Sequence, residues 1–286
     1  MSTLTYEIVD VFTDRPFTGN PLAVVFDADG LSRDQMQALA REFHLSETVF
    51  VLPATVEGAT YRARIFTPAE ELPFAGHPSV GAAVVQCRRG LVRPGVVFQE
   101  CGAGVLPVDV EEDRATLTGG MPSLGRELDP APLLAAVGLR PDDFAGPAPR
   151  VAGCGLEFLF LSVRPDAVAR ARVHNSIENV GDICVFAWDP ETRTSHARVF
   201  VPGKGVPEDP ATGSAALGFG VWLVAMGLLP GEGQSSYVVR QGIELHRPST
   251  LDCSVDAEGG VPMRVTVTGA VVPIATGEMV IPPFVG

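Results

Sequence analysis

The stretch RARIFTPAEELPFAGHPSVGAAVV, residues 62–85, decides the fold, because a related stretch, HARVFVPGKGVPEDPATGSAALGFGVWL, follows at residues 196–223. Four pairs of residues match at a constant separation of 134 positions: Arg64 with Arg198, Phe66 with Phe200, Pro68 with Pro202, and Pro73 with Pro207. A three-residue insertion then brings Gly76-His77 into register with Gly213-Ser214, and both copies continue into an Ala-rich apolar helix. Four matches in the same order predict a duplicated domain.

The segments before residue 69 predict the kind of sheet. TYEIVDVFT and NPLAVVFDA read as the two strands of a β-hairpin, and ETVFVLP and TYRARIFTP read as further strands. Between them, LSRDQMQALAREF has Ser32 as a helix N-cap and Gln35 three residues later, which is a capping-box pattern. Successive strands with few helices favour an α+β fold with an antiparallel or mixed sheet.

The domain boundary is predicted in the loop-rich segment GGMPSLGRELDPAP, around residues 119–132. This boundary gives an N-terminal domain of residues 1–123 and a C-terminal domain of residues 124–276. The C-terminal segment 277–286 is expected to complete the N-terminal domain.

Composition narrows the functional classes. The 286 residues include 21 Lys and Arg against 34 Asp and Glu, a net charge of -13 that argues against nucleic acid and anionic membrane partners. The five cysteines are scattered without a CxxC pair, and no segment has the order of a signal peptide or the length of a membrane span. These features predict a cytoplasmic protein with reduced thiols.

Both copies of the repeat place a Gly at the start of a helix, Gly76 in the first and Gly213 in the second. The first backbone N–H groups of a helix have no intrahelical acceptor, and together with the helix dipole they form an anion site. Tight strand-to-helix turns are the commoner use of a single Gly. Two copies of the turn favour function, with both helix starts facing a cleft between the domains.

Three polar residues lie in these turns. A lone His is more often structural than catalytic, but the dipole at a helix start lowers the pKa of His77 and favours a neutral imidazole that both donates and accepts. Asp209 precedes a Pro, which is ordinary turn chemistry. Because Asp209 and Ser214 lie five residues apart across one turn, their side chains can converge on one bound molecule.

Glu47 stands between a helix and an apolar strand in HLSETVFV. A Glu so placed is commonly a solvated strand-end residue. If it points inward, desolvation against neighbours such as Phe50 raises its pKa towards the range of about 6 to 7 that suits proton transfer near neutrality. Both interpretations are open at this point.

Cofactor signatures are absent from the sequence. No G-x-x-x-x-G-K-[ST] phosphate loop and no G-x-G-x-x-G after a first strand is present, and the His residues form no metal-binding pattern. We therefore expect neither a metal nor an organic cofactor.

Five segments together resemble the PhzF-like phenazine-biosynthesis family, in the family's order and over nearly the whole chain. They are VDVFTDRPFTGNPLAVV, LSETVFV, RIFTPAEELPFAGHPSVGAA, GVPEDPATGSAALGFGVWL and the weaker RQGIELHRPSTL. The resemblance implies the diaminopimelate-epimerase-like fold, in which two similar domains each roll a sheet around a central helix. It also implies a homodimer and an active site between the domains.

The same resemblance implies the roles of the site residues. The Glu of the SET motif falls on Glu47, the proton-transferring acid/base, while His77, Asp209 and Ser214 would hold and orient the substrate. The amides of the helix starts, at Gly76, His77, Gly213 and Ser214, would receive its carboxylate or developing negative charge. The reaction characterised in this family is a cofactor-free isomerisation of a dihydro-hydroxyanthranilate.

Two departures from related proteins are visible. Racemases on the related fold carry a Cys immediately before each helix-start Gly, where this chain has Ala75 and Thr212, so a two-thiol mechanism is not expected. His246 stands where relatives usually have Gly. The first hypothesis is an isomerase of a small cyclic or unsaturated carboxylate; the alternatives are an epimerase or lyase using Glu47, or a ligand-binding protein without turnover.

Overall fold

The computed structural model describes residues 3–173, 181–202 and 206–283. The chain forms two compact units: unit 1 comprises Met1–Leu117 and Thr268–Gly286, and unit 2 comprises Thr118–Val267. These limits lie several residues before the domain boundaries predicted at 123 and 276. One long strand, Val261–Val280, runs from unit 2 into unit 1.

Unit 1 contains two helices, α1 and α2, and most of its strands precede residue 119. Its elements are β1 (Thr3–Val11), β2 (Asn20–Val25), α1 (Arg33–Phe43), β3 (Glu47–Leu52), β4 (Tyr61–Phe66), β5 (Glu71–Leu72), α2 (Gly76–Arg88), β6 (Gly95–Cys101), β7 (Gly104–Val110) and β8 (Arg114–Thr118). The predicted hairpin is confirmed, because β1 and β2 pair antiparallel. The predicted capping box of α1 is also confirmed: Ser32 accepts from the Gln35 amide, and the Gln35 side chain accepts from the Ser32 amide.

Unit 2 follows a similar order. Its elements are β9 (Pro122–Glu127), α3 (Pro130–Ala136), a 3₁₀ turn (Pro141–Asp143), β10 (Arg150–Cys154), β11 (Glu157–Ser162), α4 (Pro165–Val168), β12 (Ile183–Asp189), β13 (Thr194–Phe200), β14 (Glu208–Asp209), α5 (Gly213–Ala225), β15 (Gly233–Gln241), a 3₁₀ turn (Ile243–Leu245), β16 (Ser249–Glu258) and β17 (Val261–Val280). The segment predicted as a loop around residues 119–132 therefore contains a strand. Antiparallel pairing of β9 with β10 supplies the hydrogen bonds that its Gly- and Pro-rich sequence does not predict.

The two units share one pairing scheme, which agrees with the predicted duplication. In unit 1, β1–β2 is antiparallel, β2–β3 parallel, β3–β4 and β4–β5 antiparallel, β4–β6 parallel and β6–β7 antiparallel. In unit 2, the strands from β10 to β16 repeat this series in the same order. The sheet type is therefore mixed, and the fold class is α+β as predicted.

An ion pair is repeated at the same place in both units. Arg64 binds Glu71 with Nε–Oε1 and Nη2–Oε2 distances of 2.7 and 2.8 Å. Arg198 binds Glu208 with the corresponding distances of 2.8 and 2.7 Å. In each unit the Glu lies on the short strand that pairs with the strand of the Arg, and it is directly opposite a Phe.

This repeat corrects one residue match made from the sequence. The three-residue insertion precedes the short strand, so Pro73 corresponds to Pro210 and not to Pro207. A Cβ added to Gly102 would lie 2.7 Å from the Cα of Pro73, and one added to Gly242 would lie 2.6 Å from the carbonyl oxygen of Pro210. Pro recurs so often in this loop that sequence alone cannot place the insertion.

The central helix of each unit is buried on all sides. Every residue from Gly76 to Cys87 in α2 is buried, as is every residue from Gly213 to Val224 in α5. Helix α2 packs against strands of unit 1, and α5 packs against strands of unit 2. A helix that is apolar all round needs such an enclosing layer. Within the described ranges, none of the helices is long and apolar enough to cross a membrane.

Candidate active site

The two predicted helix starts are confirmed. Helix α2 begins at Gly76 after the extended residue Ala75, and α5 begins at Gly213 after the extended residue Thr212. The side chains of these two N-cap residues make no capping hydrogen bond. The first amides of a helix cannot be satisfied within it and stand at the positive end of its dipole, so each start is suited to an anionic group.

In unit 1, His77 lies between an amide and a carboxylate. Its Nδ1 is 3.2 Å from Nδ2 of Asn20, and its Nε2 is 3.5 Å from Oε2 of Glu47. Since the Asn20 amide donates to Nδ1, the proton of a neutral imidazole resides on Nε2. His77 therefore directs an N–H group toward the Glu47 carboxylate.

Burial keeps the imidazole neutral. The His77 residue is only 3% exposed, and desolvation lowers its pKa from the ordinary value of 6.5 to about 3. The sequence predicts a lowered pKa from the helix dipole, but the cause in the structure is burial. A neutral His77 can donate one hydrogen bond and accept another, as expected, without carrying charge.

This pKa predicts a specific pH dependence of stability. Between about pH 6.5 and pH 3 the unfolded chain binds a proton at His77 that the folded chain does not bind. The free energy of unfolding therefore falls as the pH drops through this window, by up to about 1.4 kcal/mol per pH unit from this group. The His77→Asn variant keeps a side-chain oxygen that can accept from Asn20, but it lacks the pH-dependent contribution of His77 to the free energy of unfolding.

Urea denaturation followed by far-UV circular dichroism at several pH values checks the prediction. Other groups titrate in both proteins, so the informative quantity is the difference in slope between wild type and variant. Equal slopes from pH 6 to pH 4 would contradict it.

Glu47 lies at the beginning of a strand. It is the first residue of β3 and pairs in parallel with Leu22 of β2. Helix α1 ends at Phe43, and its C-cap His44 adopts the left-handed conformation, with φ of 52°, which turns the chain toward this strand. The Glu47 side chain is only 15% exposed, so the inward-pointing alternative from the sequence applies.

Asn20 is held by the turn that joins β1 and β2. It is fully buried and pairs with Val11 across the hairpin. The preceding Gly19 has φ of 70°, and a Cβ there would lie 2.4 Å from the Val11 carbonyl oxygen and 2.6 Å from Cγ2 of Thr13. Only Gly fits, because both the backbone conformation and the close approach exclude a side chain.

A series of hydrogen bonds between buried polar groups supports the first turn of α2. Ser79 Oγ donates to the Ala75 carbonyl at 2.9 Å, Gln99 Nε2 donates to Ser79 Oγ at 2.8 Å, and Tyr61 OH donates to Gln99 Oε1 at 3.0 Å. All three side chains are almost fully buried. Because this series of hydrogen bonds ends at Ala75, the residue before Gly76, it fixes the place where the helix begins.

In unit 2, the other predicted site residues lie beside the start of α5. Asp209 and Ser214 are 7% and 6% exposed. Asp209 Oδ2 accepts a hydrogen bond of 2.6 Å from the Thr212 hydroxyl. Glu47 and His77 thus belong to unit 1, and Asp209 and Ser214 belong to unit 2.

The cysteines do not form a two-thiol centre at the helix starts, which carry Ala75 and Thr212 instead. Burial raises the pKa of Cys154 to about 11 and also raises the pKa values of Cys184 and Cys253. A thiol is nucleophilic and basic only as the thiolate, so these buried groups are poor proton acceptors.

Metal ligands are not clustered in the part of the chain that the structure describes. Within it, no group of three or more His, Cys, Asp and Glu side chains is placed to hold a metal ion.

Two contacts escape sequence reasoning. Asn20 reads as a turn residue in TGN, and only the structure brings it to His77. Gln241, in the segment RQG, reads as part of a weak motif, yet its side chain binds Thr212. The signal available in the sequence for Gln241 is its place immediately before Gly242, at the end of a strand.

Comparison with known proteins identifies the family. The family model for phenazine biosynthesis-like proteins, PhzC–PhzF, matches residues 9–277. An uncharacterized isomerase of Mesorhizobium japonicum is 36% identical, with 98% of this chain and 100% of that protein covered. The trans-2,3-dihydro-3-hydroxyanthranilate isomerase of Pseudomonas aeruginosa is 34% identical, with 96% and 98% covered.

A solved structure of similar fold belongs to the same family. The crystal structure of a PhzF-family phenazine biosynthesis protein of Bacillus anthracis has a TM-score of 0.88 at 26% identity, with 98% of this chain and 100% of that chain covered. Sequence and structure matches therefore agree over nearly the whole length. This chain belongs to the phenazine biosynthesis-like family and is an isomerase of that family.

Proposed function

We propose that this protein moves a proton between two carbons of a small cyclic or unsaturated carboxylate without a cofactor, and that Glu47 carries the proton. The observation that carries the proposal is the arrangement of Glu47 beside a neutral His77. The carboxylate is largely shielded from solvent, and the imidazole 3.5 Å away is uncharged near neutral pH.

The charge state of His77 matters for the basicity of Glu47. An imidazolium at this distance would stabilise the ionised carboxylate and make it a weaker base. Burial prevents this, while the Nε2–H group still offers a hydrogen bond to the carboxylate or to the bound substrate. Proton transfer by such a positioned group typically contributes a factor of about 10² to 10⁴.

One residue can perform both proton transfers of this reaction. Glu47 removes a proton from a carbon made acidic by the neighbouring unsaturation, and the electron pair of the C–H bond passes into the conjugated system. The protonated Glu47 then gives a proton to another carbon, so neither oxidation nor reduction occurs. The negative charge is received by the amides at the helix starts, those of Gly76, His77, Gly213 and Ser214.

The other substrate contacts, the substrate, the oligomeric state and the location are further parts of this proposal. Asp209 and Ser214, with His77, hold and orient the substrate. The Pseudomonas aeruginosa relative is named for trans-2,3-dihydro-3-hydroxyanthranilate, which makes that compound the first candidate substrate. A homodimer, implied by the family resemblance, and a cytoplasmic location, implied by the sequence features, stay predictions.

The test is solvent deuterium incorporation. Purified protein in heavy water is incubated with a panel of small cyclic and unsaturated carboxylates that includes trans-2,3-dihydro-3-hydroxyanthranilate, and products are analysed by mass spectrometry and NMR. We expect deuterium at a single carbon together with a shifted double bond. A substrate deuterated at the donor carbon should transfer part of its label to the acceptor carbon, because one shielded carboxylate performs both steps.

Two results would count against the proposal. Binding of the panel compounds without exchange would favour a ligand-binding protein. Exchange with inversion at one carbon and no shift of the double bond would favour an epimerase.

A further inference from the structure

A buried hydrogen-bond network fixes the loop that leads into α5. Gln241 Nε2 donates to the Asp209 carbonyl oxygen at 2.7 Å and to Thr212 Oγ1 at 3.0 Å. Gln241 Oε1 accepts from the Thr212 amide at 3.1 Å, and the Thr212 hydroxyl donates to Asp209 Oδ2 at 2.6 Å. Gln241 is 1% exposed and Thr212 is 8% exposed.

The protons of this network have one consistent arrangement. The amide oxygen of Gln241 takes the Thr212 N–H, so its NH₂ group faces the Asp209 carbonyl and the Thr212 hydroxyl. The hydroxyl accepts from Gln241, and its own proton therefore points to the Asp209 carboxylate. The orientation of the Gln241 amide thus determines the direction in which Thr212 donates.

The end of β15 is shaped to bring Gln241 to this loop. Gly242 follows it with φ of 75°, and a Cβ at Gly242 would lie 2.6 Å from the Pro210 carbonyl oxygen. The strand end can therefore lie directly against the loop between Asp209 and Thr212. A bulkier residue at this position would push Gln241 away from its partners.

The corresponding turn of unit 1 forms without such a network. Gly102 packs against Pro73 as Gly242 packs against Pro210, so Cys101 occupies the position of Gln241. Ala75 occupies the position of Thr212 and has no hydroxyl. The strand-to-helix turn of this repeat is therefore compatible with residues that cannot make these hydrogen bonds.

We infer that Gln241 is a positioning residue that acts through Thr212 to orient the Asp209 carboxylate for the substrate. The inference rests on the proposed function for the role of Asp209, and it assigns roles to two residues outside the predicted set. Gln241 sets the direction of the Thr212 hydroxyl, and the hydroxyl sets the rotation of the carboxylate. Neither residue moves the proton, which Glu47 carries.

The kinetic test uses near-isosteric variants. Thr212→Val removes the donor to Asp209, and Gln241→Glu keeps the acceptor for the Thr212 amide but removes the donors to the Thr212 hydroxyl and to the Asp209 carbonyl oxygen. Each should raise KM by about 10- to 100-fold, the range for a hydrogen bond to a charged group, with kcat changed less than about threefold. Thr212→Ser should restore KM to within about threefold of wild type.

Two comparisons separate positioning from a loss of structure. Ser195→Ala removes another buried hydroxyl of unit 2, which donates to the Ala187 carbonyl, and should leave KM unchanged. In the double variant Thr212→Val with Gln241→Glu, the effect on KM should fall well short of the sum of the two single effects, because Gln241 reaches the Asp209 carboxylate through Thr212. Additive effects on KM, or equal effects in Thr212→Ser and Thr212→Val, would overturn the inference.

A second readout does not depend on turnover. The ¹³C chemical shift of the Asp209 carboxyl, assigned with Asp209→Asn, should move in Thr212→Val and in Gln241→Glu and return in Thr212→Ser. An unchanged shift in the first two variants would refute the positioning role even if Glu47 proves to carry the proton.

If wild type exchanges no substrate, the proposed function fails, while the carboxyl shift still decides whether Gln241 orients Asp209. If Gln241→Glu does not fold, the Thr212 pair alone provides the comparison.

Discussion

Replacement of Glu47 by Gln is expected to lower kcat by about 10⁴-fold, the upper part of the range for general acid–base catalysis, and to leave KM within about threefold. Gln has almost the same shape as Glu and can still accept a hydrogen bond from Nε2 of His77, which is 3.5 Å from the carboxylate. It cannot take up a proton from carbon near neutral pH. The loss should therefore appear in the chemical step and not in binding.

The measurement is the rate of deuterium incorporation, together with binding of the same substrate by calorimetry. Glu47→Asp retains the carboxylate but withdraws it by one methylene, and a misplacement of about 1 Å can cost about 10²-fold. Glu42→Gln, an exposed residue of α1, is the matched control and should behave as wild type. A Glu47→Gln variant that keeps more than about a tenth of the exchange rate would show that another group carries the proton.

Replacement of Phe219 by Ala is expected to destabilise unit 2 by about 3 to 5 kcal/mol, the usual cost of truncating a buried aromatic side chain. Phe219 lies on α5 and is only 2% exposed. Its ring centroid lies between 4.7 and 6.0 Å from those of five other aromatic side chains: Phe160, Phe186, Trp188, Trp222 and Tyr237. Since α5 carries Gly213 and Ser214 at its start, a cavity here should also disturb the second helix start.

Urea denaturation followed by tryptophan fluorescence measures this effect in unit 2, because both tryptophans of the chain belong to that unit. Phe219→Leu, which retains most of the volume, should cost less than Phe219→Ala. Met263→Ala removes a side chain of a residue that is 56% exposed and should change the free energy of unfolding by less than about 0.5 kcal/mol. A Phe219→Ala variant as stable as the Met263→Ala control would contradict the central role of α5 in the core.

The departure at His246 shows how a single position can be understood only in the fold. The residue adopts the left-handed conformation, with φ of 57°, at the end of the 3₁₀ turn after β15. Gly adopts this conformation without steric cost, whereas His does so less readily. His246 therefore places a tolerated strain in this turn.

The sequence by itself determined the elements and their repetition. The capping box of α1 and the two Gly-led apolar helices depend on local propensity and on short-range periodicity, which can be recognised in the sequence alone. The same turns drew attention to Glu47, His77, Asp209 and Ser214 as candidate site residues, and their roles stay predictions. It missed β9, whose Gly- and Pro-rich segment forms a strand only because β10 supplies its hydrogen bonds.

Only the tertiary structure decided how those residues are held. The contact of Asn20 with His77 joins residues 57 positions apart, and the contact of Gln241 with Thr212 joins residues 29 positions apart. The depressed pKa of His77 has the same origin, because desolvation depends on every atom that encloses the ring and not on its neighbours in the chain. Hydrogen-bond partners and local dielectric are properties of the packed fold, so a sequence pattern identifies the chemical groups but not the environment that sets their charge and orientation.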